Sequence, residues 1–118
     1  MTSLVVKCTW GVERAETLIQ AFTVAATAAA SGVDVSMWLT GEASLFALPG
    51  TEDVTLPHAA PLSQLRDAVM AGGTLTLCTQ CAQRRDIAPG DVIEGVRIAG
   101  AATFVEESLA PGTTVLVY

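Results

Sequence analysis

Short apolar runs alternate with segments of helical periodicity along the whole chain, and this alternation restricts the fold more than any other feature. We expect strands over residues 3–8, 33–39, 75–78, 95–99 and 113–118. Parallel strands require such intervening segments, because a crossover must return the chain to the same end of the sheet. Right-handed crossovers place helices on both faces of the sheet. The pattern therefore predicts an α/β fold, a three-layer α/β/α sandwich with a mostly parallel sheet.

The helical segments differ in how clearly the sequence defines them. The first, over residues 15–29, repeats apolar residues at i, i+3, i+4 and i+7, and Gly32 follows it as a cap. The second begins at Pro61 and ends at Gly72 and Gly73, which we interpret as a turn. Shorter helices are expected near residues 43–48 and 101–109.

The composition predicts one domain that associates with further copies of itself. A chain of 118 residues is long enough to bury one core and too short for two independent ones. Apolar residues make up 51% of the chain and charged residues 15%, a high apolar share for a small monomer with a large surface. We therefore expect a single domain over residues 1–118 that forms a homo-oligomer.

The charges argue against two classes of partner. Twelve acidic and six basic residues give a net charge of −6, and the basic residues form no cluster along the chain. We expect no nucleic acid and no membrane surface as partner, since both attract clustered cations. The sequence shows neither a signal-peptide pattern nor a membrane-spanning stretch. We expect a cytoplasmic protein whose three cysteines are thiols.

Two cysteines with the spacing Cys-x-x-Cys follow the third predicted strand. Cys78 ends that strand, at the edge where ligands and reacting groups gather in parallel sheets. Cys81 stands in the polar turn that follows, so the residues around it predict an exposed thiol. If this turn is helical, its free N–H groups favour a thiolate, and Arg84 and Arg85 fall on the same face as Cys81.

Other interpretations of the two cysteines remain open at this point. Both can be small buried hydrophobic residues, since free Cys is among the most buried residue types. A thioredoxin-type disulfide exchanger carries its motif early, whereas here the motif comes about two thirds along the chain. A zinc site needs four ligands, and the Cys and His residues available are Cys8, His58, Cys78 and Cys81. No second closely spaced ligand pair occurs, so we predict no bound metal.

Two further residues are accessory candidates. His58, the sole histidine, lies in a proline-flanked segment, where it is either a solvated loop residue or a proton shuttle. Cys8 ends the first strand, where it either points toward the same edge as Cys78 or is a buried core thiol. We expect packing roles for Trp10 and Trp38, and a solvated helix face for Glu106 and Glu107.

The second half of the chain resembles a known family. The segment Leu-Cys-Thr-Gln-Cys-Ala-Gln-Arg-Arg-Asp-Ile at 77–87 precedes Val-Ile-Glu-Gly-Val-Arg-Ile at 92–98 and the ending Thr-Val-Leu-Val-Tyr at 114–118. These segments are similar to those of the DsrE-like family, in particular its small YchN-type members, and the resemblance covers nearly the whole chain. It implies a parallel five-stranded sheet between helices, assembled into homotrimers or homohexamers.

The resemblance also implies sulfur chemistry. The DsrE and TusD relatives carry sulfur as a cysteine persulfide and pass it between proteins, and their active cysteine falls on Cys78 here. Cys81 matches the second cysteine of the YchN-type pattern, and Arg85 matches its arginine. The glycine that usually follows this arginine is Asp86 in this chain, which places a carboxylate beside Arg85.

We therefore hypothesise a cytoplasmic sulfur carrier or sulfurtransferase that needs no cofactor. Cys78 accepts the sulfur, Cys81 resolves or relays it, and Arg84 and Arg85 stabilise the anion. The sequence does not name the sulfur donor and acceptor proteins. The rival hypotheses are a non-catalytic homo-oligomeric module that binds a small ligand or partner, and a Cys-x-x-Cys redox or metal-binding protein.

Overall fold

The computed structural model describes residues 2–118 and contains one five-stranded sheet. The strands are β1 (Ser3–Cys8), β2 (Asp34–Leu39), β3 (Gly73–Cys78), β4 (Arg97–Ala99) and β5 (Thr113–Val117). The helices are α1 (Ala15–Ala30), α2 (Leu62–Gly72), α3 (Thr79–Arg84) and α4 (Ala101–Ser108), with 3-10 segments at Val12–Arg14, Gly41–Ala47 and Pro89–Asp91. The strands lie in the order β4-β3-β2-β1-β5, and every pair is parallel. The predicted α/β sandwich is confirmed.

The helices are distributed unequally over the two faces of the sheet. The chain adds β1, β2 and β3 side by side in one direction, and right-handed crossovers keep α1 and α2 on one side, which we call the first face. From β4 the chain returns across the sheet to β5 at the opposite edge, so α4 covers the other side, the second face. The cover of the second face is thus a helix of eight residues. No helix within residues 2–118 is long and apolar enough to cross a bilayer.

The main core lies between the first face and helices α1 and α2. Alternate residues of the three central strands point into it, as the period of two requires: Val6, Cys8, Val35, Met37, Leu39, Leu75 and Leu77. From α1 the core receives Leu18 and Phe22 together with several buried alanines. The small alanines allow α1 to lie close to both the sheet and α2.

The Gly72-Gly73 pair is a point of close packing and not the turn that we expected. Gly72 ends α2 and Gly73 begins β3, with no residue between them. A Cβ atom on Gly73 would lie 2.6 Å from the carbonyl oxygen of Val35, and one on Gly72 would lie 3.2 Å from the Cβ of Ala29. Glycine is therefore required at Gly73 because the neighbouring strand leaves no room for a side chain.

A polar network lies beneath α4 on the second face. Glu107 Oε1 accepts hydrogen bonds from Ser36 Oγ at 2.6 Å and from Trp38 Nε1 at 3.0 Å. Its Oε2 accepts one from Arg97 Nη2 at 2.7 Å, and Arg97 Nε donates another to Thr76 Oγ1 at 2.8 Å. We call these five residues the second-face network. The expected solvated position of Glu107 is wrong, because α4 turns this side chain toward the sheet.

The surroundings of Glu107 also set its protonation and the position of α4. Burial alone would raise the pKa of its carboxyl, but the hydrogen bonds from Ser36, Trp38 and Arg97 outweigh burial and hold that pKa below its usual value. Phe104 completes the cover: its ring meets Trp38 edge to face, with 5.3 Å between the centroids. Trp38 therefore has the packing role that the sequence predicted.

Candidate thiol site at the carboxyl edge of the sheet

Cys78 lies at the carboxyl end of β3, an internal strand of the sheet. Leu77 belongs to the first-face core, so the next residue along the strand faces the second face, where Cys78 pairs with Ala99 of β4. Cys78 is also the residue from which α3 begins. It is half-buried, whereas the other two cysteines are buried. Cys78 is therefore the most accessible thiol of the protein.

Cys81 lies in the first turn of α3 and is 7% exposed. The exposed position predicted for it is wrong. Successive residues of a helix point in different directions, so Gln80 and Gln83 face solvent while Cys81 faces the interior. Its Sγ accepts a hydrogen bond from the backbone N–H of Gly41 at 3.4 Å and lies 4.0 Å from Nη1 of Arg84. The Cys81 sulfur is thus buried beside one fixed donor and one cation.

Cys8 occupies the same edge of the sheet but the opposite face from Cys78. Its side chain is fully buried in the first-face core, and its Sγ donates a hydrogen bond to the carbonyl oxygen of Trp10 at 3.4 Å. Burial raises the pKa of the Cys8 thiol to about 11. At that value about one Cys8 thiol in a thousand is ionised near pH 8. Of the two interpretations of Cys8, the structure therefore supports the buried core thiol.

The two arginines hold different positions around α3. Arg84 is exposed, and its guanidinium approaches the Cys81 sulfur as described above. Arg85 instead donates from Nη1 to the backbone oxygen of Cys81 at 3.2 Å and forms an ion pair from Nε to Glu42 Oε2 at 3.1 Å. The carboxylate beside Arg85 is therefore Glu42, and not Asp86 as the sequence indicated. This ion pair ties α3 to the segment that follows β2.

Asp86 stands where the backbone turns after α3, with φ of +53°. This left-handed conformation is easy for glycine and disfavoured for residues with a Cβ, although Asp tolerates it better than most. Glycine, which the resemblance leads us to expect at this position, would adopt this conformation without strain. Asp86 is exposed and lies outside the contacts that hold the thiols.

We expect Asp86→Gly to raise the free energy of unfolding by about 0.5 to 1 kcal/mol, because it relieves the left-handed backbone. Urea denaturation of the variant and the unmodified protein at one pH measures this difference. Asp86→Ala is the control, since it removes the charge but keeps a Cβ in this left-handed backbone. An equal gain in Asp86→Ala would assign the effect to charge and contradict the backbone explanation.

The remaining candidates do not join the thiols. His58 is exposed, with φ of +63°, and lines an outer depression together with Glu16 and Gln20 of α1. That depression shares no lining residue with the surroundings of Cys81. Among residues 2–118, no three or more His, Cys, Asp or Glu side chains are grouped as a metal site would require. The four residues considered for zinc are therefore not brought together.

Two residues outside the Cys-x-x-Cys motif and its arginines also belong to the site. Gly41 supplies the N–H that faces the Cys81 sulfur, and Glu42 pairs with Arg85. Gly41 has φ of +54°, and a Cβ on it would lie 2.5 Å from the carbonyl oxygen of Thr9. Both follow β2 at the same edge as Cys78, so the rule that parallel strands present their carboxyl ends together could have found them.

Comparisons with known proteins agree with this architecture. The model of the DsrE/DsrF-like family matches residues 9–117. The ychN protein from E. coli has a TM-score of 0.83 at 20% identity, over 100% of both chains. A protein of unknown function from Methanobacterium thermoautotrophicum has a TM-score of 0.75 at 11% identity, again over 100% of both chains. One from Bacteroides thetaiotaomicron scores 0.66 at 14% identity, over 98% of this chain and 94% of the other. A search of curated proteins finds no match.

Proposed function

Because the chain belongs to the DsrE/DsrF-like family, we propose that it is a sulfur carrier that accepts sulfane sulfur on Cys78 as a persulfide. The observation that supports this most is the position of Cys78, the least buried of the three thiols, at the carboxyl end of an internal parallel strand. A protein donor must bring its own sulfur into contact with the accepting thiol, which requires an accessible sulfur atom. Cys8 and Cys81 are both buried and do not meet this requirement.

The proposed loading step is a thiol exchange. The Cys78 thiolate attacks the outer sulfur of a persulfide on the donor protein, so that a new S–S bond forms at Cys78. The donor's S–S bond breaks, and the donor leaves as a thiolate. An acceptor thiolate then removes the outer sulfur from Cys78 in the same way. No net oxidation occurs in either transfer, so the relay needs no cofactor.

Cys81 has a proposed second role, three residues after Cys78. Its thiolate attacks the inner sulfur of the Cys78 persulfide, forms a Cys78–Cys81 disulfide and releases hydrosulfide. In this reaction the two cysteines are oxidised and the outer sulfur is reduced, and a thiol reductant then restores both cysteines. The Gly41 N–H and the Arg84 guanidinium, at 3.4 and 4.0 Å from the Cys81 sulfur, support this role because both stabilise a thiolate. Such chemistry suits the reducing cytoplasm, where we place the protein.

Mass spectrometry after exposure to a persulfide donor tests the proposal directly. We expect one added sulfur atom per chain, carried on the peptide that contains Cys78. A chain that acquires no sulfur while the donor remains active would overturn the carrier hypothesis. That result would favour the non-catalytic binding module instead.

We also propose that the chain associates with copies of itself through its second face. Three large apolar side chains are exposed on this side: Val105 at 52%, Leu109 at 78% and Val117 at 62%. Val105 and Leu109 lie in and just after α4, and Val117 lies on β5 in register with Lys7. We call these three residues the apolar patch. We propose that a second copy of the chain covers the apolar patch. The patch adjoins the second face, which α4 alone among the described helices covers, and the chain is rich in apolar residues.

We expect Leu109→Asp to reduce the molecular mass in solution to that of one chain, because it places a charge in the proposed contact between copies. Light scattering coupled to gel filtration measures this mass. The control is Val12→Asp, which changes an exposed apolar residue outside the apolar patch and should leave the mass unchanged. Self-association through the patch is wrong if the unmodified chain is a monomer, or if Leu109→Asp keeps the oligomer mass.

A further inference from the structure

A groove of about 450 Å³ runs along the carboxyl edge of the sheet, on the side of α1. Its walls come from the 3-10 segments that follow β1 and β2 and from the chain between residues 51 and 56. The floor is largely apolar and contains Val12, Ala15, Leu45, Phe46, Val54 and Leu56. Val12 is 68% exposed, so part of this apolar surface faces solvent.

The rim of this groove is acidic. Glu13, Glu42, Glu52 and Asp53 line it, and no Lys, Arg or His is among its described lining residues. Hydrogen bonds from Ser63 and Val54 hold the pKa of Asp53 below its usual value, so this carboxylate keeps its charge at neutral pH. Glu42 forms an ion pair with Arg85. Glu13 accepts a hydrogen bond from the Gly11 N–H, and the charge of Arg66 acts on Asp53. We call the apolar floor with its acidic rim the acidic groove.

The acidic groove leads toward the thiol site. Glu42 and Leu45 line it and also line an open depression that contains Arg84 and Arg85. That depression adjoins Cys81, whose sulfur and backbone oxygen are approached by these two arginines. The groove is built after β1 and β2, and Cys78 ends the next strand of the sheet, so a segment bound in the groove lies at the same edge as Cys78.

We infer that the acidic groove binds a basic segment with apolar anchor residues, carried by the protein that exchanges sulfur with Cys78. An apolar floor favours buried anchor side chains, and an acidic rim favours lysine or arginine beside them while it repels acidic segments. The groove continues into the depression that contains Arg84 and Arg85, so a bound segment lies at the edge of the sheet where Cys78 ends β3. This inference rests on the proposed function for the identity of the partner, but the chemistry of the groove is independent of sulfur transfer.

The test uses two synthetic peptides and the full chain with the substitution Cys78→Ser. This substitution removes the accessible thiol, so two chains cannot form a disulfide through it during the measurement. One peptide alternates lysine with leucine, and the other has the same length and charge but alternates lysine with serine. Backbone amide shifts of the labelled protein report where each peptide binds and with what affinity. We expect saturable binding of the lysine-leucine peptide, with shifts confined to the residues that line the acidic groove.

Matched variants separate the groove from general attraction to an acidic protein. Glu52→Lys reverses one rim charge, and Glu94→Lys makes the same change at an exposed position outside the groove. Val12→Ser removes an apolar floor residue, and Val105→Ser removes an exposed valine from α4. We expect each groove variant to weaken the lysine-leucine peptide about tenfold and each control about twofold or less.

Three outcomes would overturn the inference: no saturable binding of the lysine-leucine peptide below about 1 mM, equal binding of the lysine-serine peptide, or equal weakening by Glu94→Lys. These outcomes differ from failure of the proposed function, because the binding experiment contains no sulfur donor. A groove that binds the peptide in a chain whose Cys78 never acquires sulfur would support the docking surface and remove the carrier role.

Discussion

Replacement of Cys78 by serine is expected to abolish the uptake of sulfur from a persulfide donor, whereas replacement of Cys81 is expected to leave uptake intact. A serine hydroxyl forms no S–S bond, so Cys78→Ser lacks the atom proposed to accept the sulfur. Cys81 is 7% exposed and lies out of reach of a protein donor. Intact mass after incubation with the donor measures uptake, and peptide mapping assigns the modified residue.

The Cys81→Ser variant distinguishes the two roles within the motif. If Cys81 resolves the persulfide, Cys81→Ser holds the added sulfur longer and releases less hydrosulfide than the unmodified protein. Cys8→Ala is a second control, because Cys8 is fully buried with a pKa raised to about 11 and should take no part. Uptake that persists in Cys78→Ser, with the added sulfur found on Cys81, would exchange the assignments of the two cysteines.

The second large effect concerns stability and the second-face network. We expect Glu107→Ala to lower the free energy of unfolding by about 2 kcal/mol at neutral pH, because it leaves the Trp38 N–H without its acceptor. Trp38 is 2% exposed, and its Nε1 is 3.0 Å from the carboxylate. The side chain of Glu107 is 25% exposed, which limits the effect relative to a fully buried ion pair. Glu106→Ala, an exposed neighbour on the same helix, should change stability little.

The same carboxylate predicts a pH dependence. Its pKa in the folded protein lies below the usual value, so the unfolded chain binds the proton more readily. The stabilisation that the Glu107 carboxylate provides is therefore complete above the ordinary glutamate pKa. It is lost as pH falls through the lower pKa of the folded state. Urea denaturation at about pH 7 and about pH 3.5 measures how much free energy of unfolding is lost in acid. This acid loss should be smaller in Glu107→Gln than in the unmodified protein. An identical acid loss in both proteins would show that Glu107 does not contribute.

Much of the fold follows from local sequence pattern. Each strand is an apolar run, and each connection has either helical periodicity or residues that form turns, so a mostly parallel sheet with helices on both faces could be predicted. Cys78 could be placed at a strand end for the same reason, since the apolar run stops there. The Gly72-Gly73 pair before β3 could be recognised as a boundary from the sequence. Its physical role depends on Val35 and Ala29, which leave little room for side chains there and which the local pattern does not identify.

The environment of the thiols required the tertiary structure. Cys81 was predicted to be exposed because its neighbours in sequence are polar. In the structure, adjacent residues of α3 point to different sides, and the 41–47 segment covers Cys81. Arg85 pairs with Glu42 across 43 positions of sequence, and Ser36 reaches Glu107 across 71.

What the sequence by itself determined is therefore the order of the elements and the edge at which the cysteines lie. The tertiary structure decided which sulfur is accessible, which carboxylate neutralises which arginine, and which helix closes the second face. The reason is physical: periodicity defines which side of a strand or helix is apolar, but the group that meets that side is set by topology and packing.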